Sequence, residues 1–288
     1  MSKIKVEPFF DKTTNTISYV VIDLASGQCA IIDPVLDYQA NSGRIATKSA
    51  DKIVSYIDNF GYKVEWILET HAHADHLTAA PYLQTKLGGS IGIGEHIVRV
   101  QATFKSLFNL QDEFVADGKQ FDYLFSDDEK FRLGHLDVRV IHTPGHTPAC
   151  VSYLIEDAVF VGDTLFMPDY GTARTDFPNG SANRLYQSIQ KLLSLPETTR
   201  IFVGHDYLPE TRSEYVWETS VLEQKRHNIH VHEGITQQQF VKMREARDAS
   251  LDVPTLLLPA IQINIRAGAL PPSESNGQRY LKIPLNLL

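Results

Sequence analysis

The chain is a series of short apolar runs broken by turn residues, and the spacing within each run predicts its type. Residues 17–24 are β-rich, Ser26-Gly27 reads as a turn and residues 29–32 as a second strand, which together predict a hairpin. Over residues 47–60 the period changes: Ile53, Val54 and Ile57 share one helical face, and Gly61 is placed to stop the helix. That stripe is expected to pack on a sheet. Residues 66–68 form a short, buried type of strand. Residues 77–87 predict a helix with Pro81 tolerated in its first turn, and residues 95–110 another, with Ile97, Val100, Phe104 and Phe108 three to four positions apart. Strands are predicted at 138–142, 151–155 and 158–161, a helix at 183–195 and a strand at 201–203.

Four of these β-rich segments run directly into histidine or aspartate. Residues 66–68 lead to His71-Ala72-His73-Ala74-Asp75-His76, 138–142 to Gly145-His146, 158–161 to Gly162-Asp163, and 201–203 to Gly204-His205-Asp206-Tyr207. A rigid strand aims side chains that the following loop leaves accessible, so these junctions predict a site. In extended backbone, residues two apart point the same way, so His71 and His73 can grip one metal from one side. Asp75 and His76 can face a second position, and the two oxygens of Asp163 allow it to bridge two metals. Asp33 either supports this cluster or makes a turn with Pro34. Of the eleven histidines, His227, His230 and His232 are assigned to solvated surface, and His96, His135 and His142 likewise.

A chain of 288 residues with 43% hydrophobic content buries a large core and is expected to fold as one domain over 1–253. A tail over 254–288, with five prolines, is expected to wrap that domain in extended form. The formal charge of −8 excludes a general nucleic-acid binder and requires that any anionic ligand be drawn by local Arg, Lys or metal. Two cysteines, Cys29 and Cys150, are too few for a disulfide framework and fit a reducing compartment. No leader is evident and no stretch is long enough to span a bilayer, so a cytoplasmic protein without membrane association is expected.

The ordered set His-x-His-x-Asp-His, Gly-His, Gly-Asp, Gly-His, over roughly residues 6–210, resembles the signature of the metallo-β-lactamase superfamily. That resemblance implies an α/β fold, a four-layer αββα sandwich with the metal site at one edge between two sheets. Within the superfamily, Arg174-Thr175-Asp176-Phe177 and His205-Asp206-Tyr207 resemble the persulfide dioxygenases more than the glutathione thioester hydrolases, which carry Arg-Phe-Phe-Glu-Gly and Gly-His-Glu-Tyr there. The approach Asp169-Tyr170-Gly171-Thr172-Ala173 is similar to a bacterial branch that includes the Blh-type proteins. This kinship implies one iron(II) on His71, His146 and Asp163, a low-molecular-weight persulfide and O2 as substrates, and a possible homodimer. It implies further that Arg174 orients substrate charge, that Tyr207 donates a hydrogen bond beside the metal, and that His73, Asp75, His76 and His205 stand behind the ligands or hold a second metal.

Two rival readings stay open at this level. One is a zinc hydrolase of glutathione thioesters with one or two ions, for which every ligand is present. The other is a regulatory metal-binding protein without turnover, which would usually have lost a ligand. For Arg174 an ion pair with Asp176 and for Tyr207 an ordinary aromatic packing role are the plain alternatives.

Overall fold

Every residue of β2 (Thr16–Asp23) is buried, because both of its faces are covered. Tyr19 and Val21 point into one apolar cluster, Val20 and Ile22 into another, as the two-residue period of a strand requires. The structure, a computed structural model, describes residues 3–111 and 113–286. The first two residues of the expected domain and the last two of the expected tail lie outside the described residues.

β2 belongs to a six-stranded sheet with β1 (Ile4–Asp11), β3 (Gln28–Ile32), β6 (Lys63–Leu68), β8 (Ser90–Gly94) and β9 (Tyr123–Phe125), in the order β1-β2-β3-β6-β8-β9. A second six-stranded sheet runs in sequence order through β10 (Lys130–Leu133), β11 (Leu136–His142), β12 (Val151–Ile155), β13 (Ala158–Phe160), β14 (Arg200–Phe202) and β15 (Glu218–Ser220). Ile17, Tyr19, Ala30, Ile32 and Leu68 of the first sheet share one cluster with Val138, Val140, Tyr153, Phe160 and Phe202 of the second, so the sheets pack face to face.

The outer faces carry helices. On the first sheet lie α1 (Lys48–Phe60), α2 (Ala80–Leu87) and α3 (Ile97–Leu107), through residues such as Ile53, Ile57, Leu83, Ile97 and Phe104. On the second lie α4 (Ala182–Leu193), α5 (Val221–His227) and α6 (Gln237–Asp248), through Leu185, Ile189, Val221 and Phe240. The four-layer αββα sandwich is therefore the observed fold. Gly61, left-handed at φ 68°, ends α1 as predicted. A small sheet of β5 (Arg44–Ala46), β4 (Val35–Gln39) and β7 (Leu77–Thr78), absent from the sequence expectation, caps one end and shortens the helix predicted from residue 77.

The tail corrects the expectation of an extended strap. α7 (Leu257–Asn264) is helical and its residues Leu257, Ala260, Ile261 and Ile263 are buried. Pro259 falls in the first turn, where its missing N–H costs no helical bond, and the apolar positions three to four apart pack it beside β7. Residues 268–286 have no helix or strand.

Candidate metal centre

β6 of one sheet and β11, β13 and β14 of the other end at the same edge, and the chain joins the sheets there. Ile17 N–H donates to Gly204 O at 2.9 Å and Asp206 N–H to Asn15 O at 3.1 Å. The loops leaving these strands bring His71, His146 and Asp163 together, with one ligand atom from each lying within 4.8 Å of the others. Nε2 of His71 and of His146 stand 3.9 and 3.6 Å from Asp163 Oδ2.

Hydrogen bonds behind the rings fix which nitrogen faces inward. The Thr70 hydroxyl donates to Asp33 Oδ2 at 2.8 Å, so its lone pair is free to accept from His71 Nδ1 at 3.0 Å. His146 Nδ1 donates to the main-chain oxygen of Arg174 at 2.8 Å. Both Nε2 lone pairs then point at the space beside Asp163. Burial, then the neighbouring His73 and His146, hold the His71 imidazole well below the usual histidine value, which keeps it neutral as a ligand must be. His71 Nε2 is buried and makes no hydrogen bond among the described residues. A metal ion fits that orphaned nitrogen and the chemistry of the donor set.

Two glycines are required by close approach. At Gly162, φ 49°, a Cβ would stand 2.4 Å from Thr70 Oγ1 and displace the hydroxyl that orients His71. At Gly145, φ 151°, a Cβ would meet Leu185 Cα at 2.3 Å, where α4 packs under the His146 loop.

The remaining residues of the predicted set do not all join the triad. Alternation had placed His73 beside His71 on one metal. Instead its Nε2 stands 3.0 Å from Asp33 Oδ1 and 3.3 Å from Glu69 Oε2, both buried, because β6 ends at Leu68 and the strand alternation does not reach His73. Burial opposes charge there, but the two carboxylates outweigh it and hold His73 well above the usual histidine value. His73, Asp75 and His76 form a second group of potential ligand atoms within 4.8 Å, and Asp33, Glu69 and His73 a third. His205 Nε2 lies 3.3 Å from Asp163 Oδ1 and 3.4 Å from Asp75 Oδ2.

A cavity of about 270 Å³ opens onto His146, Asp163 and Asp75 and is walled by Phe166, Tyr170 and Phe177. Arg174 and Tyr207 both line it. The Arg174 guanidinium pairs with both carboxylate oxygens of Asp176 at 2.6 and 2.5 Å and donates to Asp252 O at 2.7 Å. Tyr207 stacks between His205 and Tyr170, with ring centroids 5.5 and 4.9 Å away, and its hydroxyl makes no hydrogen bond among the described residues. Asp206, next in the chain, is clamped by Arg212 at 2.8 and 2.6 Å, which fixes the loop that aims His205 and Tyr207.

Several supports were invisible as motifs. Arg244 is buried on α6 and bonds Asp248 Oδ1 at 2.9 Å and the Thr172 carbonyl at 3.0 Å, while Asp248 Oδ2 accepts from Thr175 N and Oγ1 at 2.8 and 2.9 Å. The pair thus grips both sides of the loop whose Arg174 carbonyl orients His146. Their i, i+4 spacing was the available signal. Asn264 of α7 donates to the carbonyls of His73 and His76 at 2.8 Å and accepts from Thr78 N at 2.9 Å. His230, expected on the surface, is buried and accepts from Thr172 N at 3.1 Å.

Residues 13–205 match the family described as the Metallo-beta-lactamase superfamily. A protein of Burkholderia pseudomallei (strain 1710b) called a probable metallo-hydrolase is 53% identical over 98% of this chain and 99% of its own. Glyoxylase B2 of Dictyostelium discoideum is 54% identical over 100% and 99%. The human mitochondrial persulfide dioxygenase ETHE1 is 27% identical over 94% and 91%. Among solved structures, ETHE1 from Myxococcus xanthus superposes with a TM-score of 0.73 at 29% identity, covering 92% of this chain and 100% of that one. No helix among the described residues is long and apolar enough to cross a membrane.

Proposed function

The chain belongs to the metallo-β-lactamase superfamily, and on that premise we propose that it oxidises a low-molecular-weight persulfide with O2, using iron(II) held by His71, His146 and Asp163. Glutathione persulfide is the expected substrate. The balanced change is RSSH + O2 + H2O giving RSH and sulfurous acid: the outer sulfur gives up the electrons that O2 takes, and the thiol leaves with a proton.

The observation that carries this reading is the position of His73. With its Nε2 turned to Asp33 and Glu69 at 3.0 and 3.3 Å, His73 stands apart from the group of His71, His146 and Asp163, two imidazoles and one carboxylate, of which His146 and Asp163 line the cavity. A two-histidine, one-carboxylate set leaves room for both a sulfur and O2, and iron would supply there the redox chemistry that zinc lacks. The likeness to the human persulfide dioxygenase supports the same reading.

The chain's own residues divide the remaining work. Thr70 and the Arg174 carbonyl hold the two imidazoles in the ligand tautomer. Phe166, Tyr170 and Phe177 form an aromatic wall against which the persulfide packs. Tyr207, with its hydroxyl uncommitted, donates a hydrogen bond to the bound substrate. Arg174 keeps guanidinium N–H groups beyond those used by Asp176 and Asp252, and these orient a substrate oxygen.

A second reading, a dinuclear zinc hydrolase of glutathione thioesters, is favoured by His205 standing between Asp163 and Asp75, beside His76. The names of the Burkholderia and Dictyostelium relatives point the same way. Metal analysis paired with O2 uptake on glutathione persulfide, at matched iron loading, separates the two. One iron per chain with stoichiometric O2 consumption supports the dioxygenase. Two zinc ions per chain with thioester hydrolysis and no O2 uptake replaces it.

A further inference from the structure

Three arginines line the cavity: Arg174, Arg244 and Arg247. The chain neutralises two of them, Arg174 with Asp176 and the buried Arg244 with Asp248, whose Oδ1 lies 2.7 Å from its Nη2. Arg247, almost one turn further along α6, is exposed, and among the described residues no carboxylate or carbonyl accepts its guanidinium. It lines the same cavity as Tyr170, and its charge, with that of Arg244, bears on the Tyr170 hydroxyl. Leu251 and Pro254 continue the rim with apolar surface. In a chain of formal charge −8, an uncompensated cation beside the cavity of the metal centre is a feature to explain.

We propose that Arg247 is the seat for a carboxylate at the far end of the substrate's carrier, so that the site selects acidic thiol derivatives over neutral ones. The identity of the reacting group rests on the persulfide reading; the carboxylate seat does not. Guanidinium is shaped to take a carboxylate through paired N–H groups, and a solvated contact of this kind adds affinity without touching the reacting sulfur. The signature is a change in KM with kcat preserved.

The test compares glutathione persulfide with the persulfide of glutathione diethyl ester, on the metal-loaded enzyme and its Arg247→Gln and Arg247→Lys variants. Lys242→Gln, exposed on the same helix and outside the cavity, is the control. For Arg247→Gln the KM for the acid should rise roughly tenfold, the loss of one charge-assisted contact at a solvated rim. Its kcat and the KM for the ester should stay within about twofold. Arg247→Lys should recover most of the loss. Calorimetry of glutathione itself and of its diethyl ester, without O2, should show the same split in affinity. Equal weakening of acid and ester, or none for either, overturns the seat. Should the enzyme take up no O2 while glutathione binding still depends on Arg247, the proposed oxidation falls and the seat stands.

Discussion

The main-chain oxygen of Arg174 holds Nδ1 of His146 at 2.8 Å, so this residue acts on the metal centre through its backbone while its guanidinium faces the cavity. The two roles can be separated. Arg174→Gln keeps the carbonyl, so metal content should match wild type while turnover drops roughly tenfold to a hundredfold from lost orientation. Metal analysis and kinetics on one preparation check this; loss of metal together with activity would show that the side chain also holds the loop in place.

Alanine at His71, His146 or Asp163 should remove metal and activity together. The loss of affinity should exceed the roughly 10–100-fold that partners behind the ligands typically account for. His76→Ala, by contrast, should retain one metal per chain. A wild-type metal count in any of the three triad variants would refute the assignment.

The Arg244–Asp248 pair gives a stability prediction with a second readout. Asp248→Ala leaves a buried guanidinium uncompensated and strips Thr175 of its acceptor, which should cost about 3–5 kcal/mol in urea unfolding. Because the same loop carries the Arg174 carbonyl, metal affinity should fall as well. An unchanged unfolding midpoint would mean the pair is not the clamp.

His230 sets a pH dependence in the metal-free protein. Burial first, then the charges of Arg244 and Arg247, lower it from the ordinary value to about 4. The unfolded chain therefore binds a proton that the folded one refuses. This contribution to stability is complete above about pH 6.5 and declines as the pH falls toward 4, by at most about 3 kcal/mol. In His230→Gln the slope of unfolding free energy against pH over that window should flatten; an unchanged slope assigns the effect elsewhere.

Much of the site could be read from spacing. His71, His146, Asp163 and His205 follow strand ends, and strand ends in a two-sheet sandwich gather at one edge, so pattern and place coincide. His73 could not be placed in this way. The two-residue period assumed extended backbone, whereas its actual neighbours, Asp33 and Glu69, are set by how β3 and β6 end side by side. Main-chain groups were equally hidden, since nothing in the identity of Arg174 shows that its carbonyl meets a histidine 28 positions away. Likewise the helical stripe of α7 was legible in Leu257, Ala260, Ile261 and Ile263, but five prolines in the segment pointed to extended chain. The prolines decide only where a helix can start and stop.

Asn264 joins α7 to the His73 and His76 carbonyls across 191 and 188 positions of sequence. During synthesis, every candidate ligand emerges before the residue that ties down the loop carrying four of them. A nascent chain released as far as the end of α6 thus holds every candidate ligand but lacks the side chain that fixes the His73 and His76 carbonyls. The order of translation therefore places the tie from Asn264 among the last contacts around the metal centre that the growing chain can make.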